Sequence, residues 1–251
     1  MMAKQRRVLA LQNVWDDPPG YLGEIMQEHG IPWDVVKADE TPNAWELLSD
    51  LTPYAAIISL GGPQHAAADE RYPYLAEEKA LILRALEQDV PFLGVCLGGQ
   101  LLAHALGAAV TRHSMTELGF FEVRLTDEGR ADPFFQGLPD NPLVFQWHMD
   151  TFSIPAGAVR LATNANTTNQ AFRLGRWAYA LQYHIELTPA MLDTWTQYPD
   201  YQREIVKELG PEGPSLIEEQ RRRYYQVYRE YARQMFENFL RISGFVLEQK
   251  S

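Results

Sequence analysis

Short apolar runs alternate with segments of helical periodicity over residues 7–107, and this alternation constrains the fold more than any other feature. The apolar runs are short enough for strands and lie at residues 7–11, 33–36, 54–60 and 91–95. The helical patterns lie at residues 19–30, 74–86 and 97–106. Strands of nearly continuous apolar sequence are typical of a parallel sheet that helices cover on both faces. The pattern therefore predicts a three-layer α/β fold with a mostly parallel, twisted sheet.

Beyond Gly119 the pattern changes to strand-like runs that are separated by turn-rich segments. These runs lie at residues 120–125, 143–147, 159–162 and 177–183. Because no long helical pattern separates them, they predict an antiparallel or mixed extension of the same sheet. We therefore expect one domain over residues 1–188.

Residues 189–251 predict a helical extension that packs on the domain or on a partner chain. Ser215 and Glu218 have the spacing of a capping box, which predicts a helix with Ser215 as its N-cap. An apolar stripe with helical steps then runs through residues 217–242 and predicts one long amphipathic helix.

The composition excludes several classes of protein. Hydrophobic residues make up 46% and charged residues 22% of the 251 residues, as in ordinary globular proteins. A net charge of −11 argues against nucleic acid as the main partner. No signal sequence is visible, and no apolar stretch approaches the ~20 residues of a membrane helix, so we expect a cytoplasmic protein without a membrane partner. The single cysteine, Cys96, excludes an intramolecular disulfide.

Cys96 lies in a Gly-x-Cys-x-Gly motif between a predicted buried strand and a predicted helix. This is the layout of a nucleophile elbow, in which the residue at the sharp turn is strained and flanking glycines allow the backbone to approach closely. The positive end of the helix dipole also favours a thiolate there. The alternative is that Cys96 is a small buried hydrophobic residue, as lone cysteines usually are.

A thiolate nucleophile needs a base, and His184 at the end of a predicted strand is the best candidate. Alternation along an extended chain places Glu186 on the same side, where its carboxylate could orient the imidazole. An exposed histidine–acid pair without a catalytic role stays open. His148 and Asp150 repeat the same spacing after another strand and are the rival pair. We expect no metal site, because a lone cysteine gives no zinc pattern.

A glycine-rich turn, Ser-Leu-Gly-Gly-Pro at residues 59–63, follows the third predicted strand. A turn of this kind can bring backbone N–H groups close to a developing oxyanion, as acyl transfer requires. An ordinary turn between a strand and a loop is the simpler explanation of these glycines. A phosphate-binding loop is excluded, since no Lys-Ser or Lys-Thr follows.

In this order, the three motifs resemble those of the class I (triad-type) glutamine amidotransferases, particularly stand-alone members similar to the amidotransferase domain of GMP synthase. The resemblance runs from about residue 8 to residue 188 and includes the stretches 70–75, 117–120, 146–152 and 169–172. It implies the flavodoxin-like fold of that family. It also implies that Cys96 is the nucleophile, His184 the base and Glu186 the orienting acid.

Three further residues match the substrate site of the family. Gly62 and Leu97 match the donors of the oxyanion hole, and Gln100 matches the glutamine that contacts the substrate. Two positions depart from the family pattern: Ile185 replaces the usual proline, which is expected to loosen the turn, and Gly99 replaces a larger residue. No ATP-pyrophosphatase pattern follows residue 188, so we expect at most one half of the GMP synthase reaction.

The resemblance implies an enzyme without a cofactor that hydrolyses the side-chain amide of glutamine through a γ-glutamyl thioester. The ammonia would pass to a synthase subunit that the sequence does not identify. A hydrolase of γ-glutamyl peptides or γ-glutamylated small molecules, which needs no partner, stays open as an alternative. A catalytically silent binding or regulatory module also stays open, as do a homo-oligomer and the roles of His148 and Asp150.

Overall fold

The computed structural model of the protein describes residues 6–38, 40, 45 and 48–247. The strands are β1 (Arg7–Gln12), β2 (Trp33–Lys37), β3 (Tyr54–Ser59), β4 (Phe92–Val95), β5 (Val110–Glu122), β6 (Arg124–Leu125), β7 (Leu143–Phe152), β8 (Ala158–Thr163), β9 (Ala171–Leu174) and β10 (Ala178–Leu181). The helices are α1 (Gly20–Glu28), α2 (Tyr74–Glu87), α3 (Leu97–Ala105), α4 (Asp127–Ala131), α5 (Pro189–Gln197), α6 (Pro199–Leu209) and α7 (Gly213–Ile242), with a 3₁₀ turn at Pro133–Phe135.

The central sheet has the strand order β2-β1-β3-β4-β10-β9-β8-β6. From β2 to β10 neighbouring strands are parallel, and the remaining three strands pair antiparallel. The prediction of an α/β fold with a mostly parallel sheet flanked by helices is confirmed. Since β4 and β10 are adjacent and parallel, the segments that follow them emerge at the same edge of the sheet.

The predicted extension of this sheet is wrong in one respect. Of the runs at residues 120–125 and 143–147, only β6 at residues 124–125 joins the central sheet. The other residues belong to β5 and β7, which form a separate antiparallel pair. The pattern also placed the start of β5 too late and did not predict β9. The first half of β5 is mostly exposed and polar, so no apolar run marks it.

Alternating residues of the strands pack into two hydrophobic layers, one on each face of the sheet. Val8 packs with α1, α5 and α7 on one face, whereas Leu9 and Leu11 pack with α2 and α3 on the other. This is the period of two that an extended chain imposes on its side chains. The central strands are therefore buried on both faces, as their continuous apolar sequence indicates.

The long C-terminal helix, α7, confirms the amphipathic pattern but not its predicted cap. The helix begins at Gly213, and Ser215 lies within its first turn instead of at the N-cap position. Pro214 explains the difference, because proline is tolerated in the first turn of a helix, where its missing N–H would have no intrahelical acceptor. The helix thus begins before the predicted capping box.

One face of α7 belongs to the hydrophobic core of the described chain. Tyr228, Ala232, Phe236 and Phe239 are each at most 1% exposed and pack with the residues of α1 and of the sheet. Burial of this size is the dominant favourable contribution to folding. None of the helices that the structure describes is both long enough and apolar enough to cross a bilayer.

Candidate active site

Cys96 occupies a sharp turn between β4 and α3. Its backbone has φ 50° and ψ −107°, a positive φ that L-residues rarely adopt and that marks a strained position. The neighbouring backbone is tightly packed: a Cβ on Gly94 would lie 2.5 Å from Gly98, and a Cβ on Gly98 would overlap the carbonyl oxygen of Ser59. The glycines of the Gly-x-Cys-x-Gly motif are therefore required by the close approach of β3, β4 and α3.

The Cys96 side chain lines a cavity of about 310 Å³ and is 6% exposed. Its Sγ atom lies 3.9 Å from the carbonyl oxygen of Trp147. Leu97 is the first residue of α3, so its N–H has no acceptor within the helix and the positive end of the helix dipole lies at the sulfur. Gly62 is adjacent, because a Cβ at that position would lie 2.9 Å from the Leu97 side chain. The two residues with predicted oxyanion donors thus lie together.

His184 lines the same cavity, just beyond the end of β10. Its backbone N–H donates to the carbonyl of Phe145 at 2.9 Å, which ties this segment to β7. Its Nδ1 atom contacts Glu186 Oε1, and both side chains are at most 4% exposed. The structure therefore brings His184 and Glu186 together as an imidazole–carboxylate pair.

Ile185 lies between these two residues, at the position where the family usually has proline. Its backbone N–H donates to Glu186 Oε2 at 2.7 Å. Proline has no N–H and could not make this bond. The departure from the family pattern therefore adds a hydrogen bond that fixes the carboxylate.

The segment after His184 is held from two further sides. The carbonyl of Glu186 accepts from the Tyr21 N–H at 2.8 Å. The Leu187 N–H donates to the Tyr228 hydroxyl at 3.0 Å, and the Leu187 carbonyl accepts from Tyr225 at 3.1 Å. Helices α1 and α7 therefore position the acidic member of the pair.

The environment of His184 favours the imidazolium form. Burial by itself lowers the pKa of His184, but the Glu186 carboxylate and the Cys96 sulfur raise it well above 6.5, and the opposing electrostatic interactions dominate. The imidazole interacts with both groups at once. Since Nδ1 contacts Glu186, the other ring nitrogen, Nε2, is the one available to Cys96.

Asp17 is a member of the site that the sequence patterns did not reveal. It is 1% exposed, and its oxygen atoms lie with the ligand atoms of His184 and Glu186 in a group within 4.8 Å of one another. Burial, then the negative charge of Glu186, raises the pKa of Asp17 well above its ordinary value of 3.8. Both effects disfavour the ionised form of Asp17. Such a group could also hold a cation, but Glu186 is already occupied by His184 and Ile185.

His148, the rival base, is buried at the edge of the cavity with both ring nitrogens occupied. Its Nε2 atom lies 3.0 Å from Glu117 Oε2, and its Nδ1 atom lies 3.0 Å from the Asp150 carbonyl. Burial opposes ionisation of Glu117, but hydrogen bonds to His148 and to polar neighbours lower its pKa to about 2. Two acceptors around one ring leave no free nitrogen for Cys96. In this geometry neither ring nitrogen of His148 is free to act on Cys96.

Polar residues around Gln100 and Asp150 line the same cavity. The Gln100 side-chain amide donates to the Asp150 carbonyl at 3.3 Å. The Asp150 carboxylate lies 3.9 Å from His65 Nε2 and 4.0 Å from the Arg112 guanidinium. Opposite charges are therefore presented side by side, as a zwitterionic ligand would require. The match of Gln100 to the family motif anticipated one of these four residues, and the sequence left the role of Asp150 open.

Comparisons with known proteins agree with the fold. The sequence model of the family described as Glutamine amidotransferase class-I matches residues 22–195. The glutamine amidotransferase-like protein YfeJ of Salmonella typhimurium is 29% identical over 217 residues, which cover 84% of each chain. The GMP synthase of Aquifex aeolicus is 31% identical over 73% of this chain, but the match covers only 34% of that protein. The chain therefore spans about a third of that relative.

Two solved structures of glutamine amidotransferases are also similar, and the similarity covers nearly the whole chain. A glutamine amidotransferase from Thermotoga maritima superimposes with a TM-score of 0.81 at 33% identity, covering 95% of this chain and 99% of that one. A glutamine amidotransferase from Methylobacillus flagellatus has a TM-score of 0.80 at 26% identity, with coverage of 98% and 97%. The family match spans more than half of the chain, and on this ground the protein belongs to the class-I glutamine amidotransferase family.

Proposed function

We propose that the protein is a cysteine-dependent amidase of the glutamine side chain, in which Cys96, His184 and Glu186 form the catalytic triad. One observation carries the proposal: the strained, glycine-flanked Cys96 and the imidazole of His184, which Glu186 contacts, line a single cavity. The proposed reactive form is a thiolate–imidazolium pair, since the His184 imidazole interacts with the Cys96 sulfur. Such a pair supplies both the nucleophile and the proton donor that amide cleavage needs.

In the first half of the reaction, the thiolate attacks the γ-carbonyl carbon and a C–S bond forms. The negative charge that develops on the carbonyl oxygen would be stabilised by the N–H groups of Gly62 and Leu97. His184 then donates its proton to the amide nitrogen, the C–N bond breaks, and ammonia or an amine leaves. The product on the protein is a γ-glutamyl thioester of Cys96.

In the second half, neutral His184 accepts a proton from water as the oxygen attacks the thioester. A C–O bond forms, the C–S bond breaks, and glutamate leaves with the thiolate–imidazolium pair restored. Glu186 keeps the imidazole in one orientation and stabilises its positive charge in both halves. Every proton and leaving group is thus accounted for without a cofactor.

The polar residues around Gln100 and Asp150 suit the α-amino and α-carboxylate groups of a glutamyl substrate. Asp150 would accept from the ammonium, whereas Arg112 and His65 would bind the carboxylate. A site with paired polar groups discriminates against analogues that leave those groups unsatisfied. Asparagine should therefore be a poor substrate.

Release of ammonia to a synthase subunit is the variant that the GMP synthase relatives favour, since those relatives are glutamine-hydrolysing synthases. We also propose that residues 1–188 form the catalytic domain, with residues 189–251 as its extension, and that the protein acts in the cytoplasm. Independent hydrolysis of γ-glutamyl compounds remains the second candidate. It is favoured by the residues of α5 and α6 that line the cavity, because they cover the site with the protein's own chain.

A glutamine-analogue electrophile tests the proposal. Diazo-oxo-norleucine should label the protein stoichiometrically at Cys96, and glutamine should protect against labelling. Mass spectrometry of the intact protein and of its peptides gives the stoichiometry and the site. The Cys96→Ser variant is the matched control and should remain unlabelled. Equal reaction with iodoacetamide and with the analogue, without protection by glutamine, would show that no glutamyl pocket is formed.

A further inference from the structure

A continuous series of aromatic rings leads from His184 to the protein surface. Trp195 packs against the imidazole with a centroid distance of 5.2 Å, and Trp147 lies 5.6 Å from Trp195. Tyr201 then lies 5.6 Å from Trp147, and Tyr198 lies 5.4 Å from Tyr201. We call Trp195, Trp147, Tyr201 and Tyr198 the aromatic wall. Its first three members line the cavity of the proposed active site.

Two carboxylates accompany the aromatic wall. Asp16 lines the cavity and is only 5% exposed, and its carboxylate oxygens form no hydrogen bond of normal geometry among the described residues, although they interact with the Tyr201 hydroxyl. Burial raises the pKa of Asp16, and an interaction with the Tyr201 hydroxyl offsets part of this effect. Glu204 also lines the cavity, where it accepts from the Trp147 indole at 3.4 Å. A buried carboxylate without a well-formed hydrogen bond has an unfavourable desolvation free energy, which a bound ligand could offset.

The position of the wall relates it to one part of the substrate. His184 gives its proton to the leaving nitrogen in the proposed mechanism, so that nitrogen must lie beside the imidazole. The ring that packs directly on this imidazole is Trp195, whose indole N–H is held by the Asp16 carbonyl at 3.0 Å. Substituents on the leaving nitrogen would therefore extend along the aromatic wall. The groups suited to the glutamyl end, Arg112 and His65, lie instead around Asp150.

We propose that the aromatic wall, together with Asp16 and Glu204, is a leaving-group subsite for amines that carry a second, positively charged nitrogen. Aromatic faces attract cations, and the carboxylate of Asp16 would gain a charged donor in addition to the Tyr201 hydroxyl. An anionic leaving group would instead face two carboxylates and be disfavoured. The proposal rests on the proposed function, and it deepens that function by naming the substrate class as γ-glutamyl amides of diamines.

The test compares three γ-glutamyl amides with leaving groups of equal length and different charge. These are the γ-glutamyl derivatives of 1,4-diaminobutane, of n-butylamine and of 4-aminobutyrate, with glutamine assayed in parallel. We expect kcat/KM to fall in the order cationic, neutral, anionic, with the cationic amide at least about tenfold above the anionic one, the usual effect of a hydrogen bond to a charged group. Glutamate release measures all four reactions.

Asp16→Asn should reduce this cationic-to-anionic ratio about tenfold, because the amide keeps the shape of the side chain and removes its charge. Glu204→Gln provides a second variant should Asp16→Asn lower the melting temperature. Asp200→Asn is the matched control: it lies on the same helix as Glu204, is exposed and pairs only with Arg203 among the described residues. The control should leave the ratio unchanged.

The outcomes separate this proposal from the proposed function. If no γ-glutamyl compound reacts and Cys96 is not labelled, the proposed function itself fails. If glutamine is hydrolysed but the three amides react equally, or the anionic amide reacts best, the subsite is refuted while the proposed function stands. If Asp16→Asn slows all four substrates by the same factor, Asp16 binds the glutamyl part, and its assignment to the leaving group is overturned.

Discussion

Glu78 should make the stability of the protein fall between pH 5 and pH 8. This residue of α2 is fully buried, and burial raises its pKa from 4.5 to about 7 despite hydrogen bonds from Ser59 and Asn13. Ser59 Oγ donates to its Oε1 atom at 2.5 Å, whereas its Oε2 atom has no partner among the described residues. The neutral carboxyl is therefore favoured in the folded protein and the carboxylate in the unfolded chain.

The sign and size of the effect follow from this difference in pKa. A folded-state pKa above the unfolded value contributes stability that is present below pH 4.5 and is lost as the pH rises through about 7. The difference of about 2.5 in pKa corresponds to about 3 kcal/mol in total. About 2.5 kcal/mol of this falls between pH 5 and pH 8.

Urea unfolding of the wild-type protein and of Glu78→Gln at several pH values measures the effect. Other groups with raised pKa, Asp17 and His184 among them, also destabilise the folded state as the pH rises, but they do so in both proteins. The change with pH should therefore be about 2.5 kcal/mol smaller in Glu78→Gln. Glu77→Gln, on the exposed side of the same helix, is the control and should follow the wild type. Parallel changes in wild type and Glu78→Gln would refute the argument, since Glu78 would then be ionised throughout.

Four further outcomes are expected. Cys96→Ser should abolish turnover with the fold intact by circular dichroism, because a hydroxyl is far harder to ionise than a thiol; activity above a few per cent would remove Cys96 from the mechanism. His184→Ala should lower kcat far more than His148→Ala, assayed where both are folded, and the reverse ranking would show that the wrong pair was chosen. Gly98→Ala should lower the melting temperature strongly, because its Cβ would overlap a backbone carbonyl. Truncation before Ser215 should lower solubility or change the hydrodynamic size, because it uncovers the apolar core surface on which α7 packs; unchanged behaviour would contradict this.

Local sequence patterns were sufficient to predict the position of a residue wherever that position depends on its neighbours in sequence. The continuous apolar strands predicted a parallel sheet because only burial on both faces is compatible with such runs. The Gly-x-Cys-x-Gly motif predicted a tight strand-to-helix turn, since glycine alone permits backbone contacts as close as those at Gly98. The spacing of His184 and Glu186 predicted their contact because alternate residues of an extended chain share a side.

The choice between His184 and His148 needed the tertiary structure. Both histidines precede an acid by two residues after a strand, so the sequence pattern does not distinguish them. In the fold, Nε2 of His148 contacts the carboxylate of Glu117, which lies 31 positions earlier in the chain. The imidazole of His184 instead interacts with the Cys96 sulfur. Which partner each ring nitrogen finds depends on contacts distant in sequence.

The tertiary structure alone determines that Asp16, Asp17 and the aromatic wall lie at the cavity. The two aspartates lie in the loop after β1, in an apparently ordinary turn sequence, and no local pattern indicates that they face residues 184–201. The α5–α6 segment supplies Trp195, Tyr201 and Glu204, and it reaches the cavity only because both helices pack beside β7 and α7. The sequence by itself therefore determined the sheet, the elbow and the triad candidates, since these depend on local periodicity and spacing. Only the tertiary structure determined the walls of the cavity, because their residues are brought together by long-range packing.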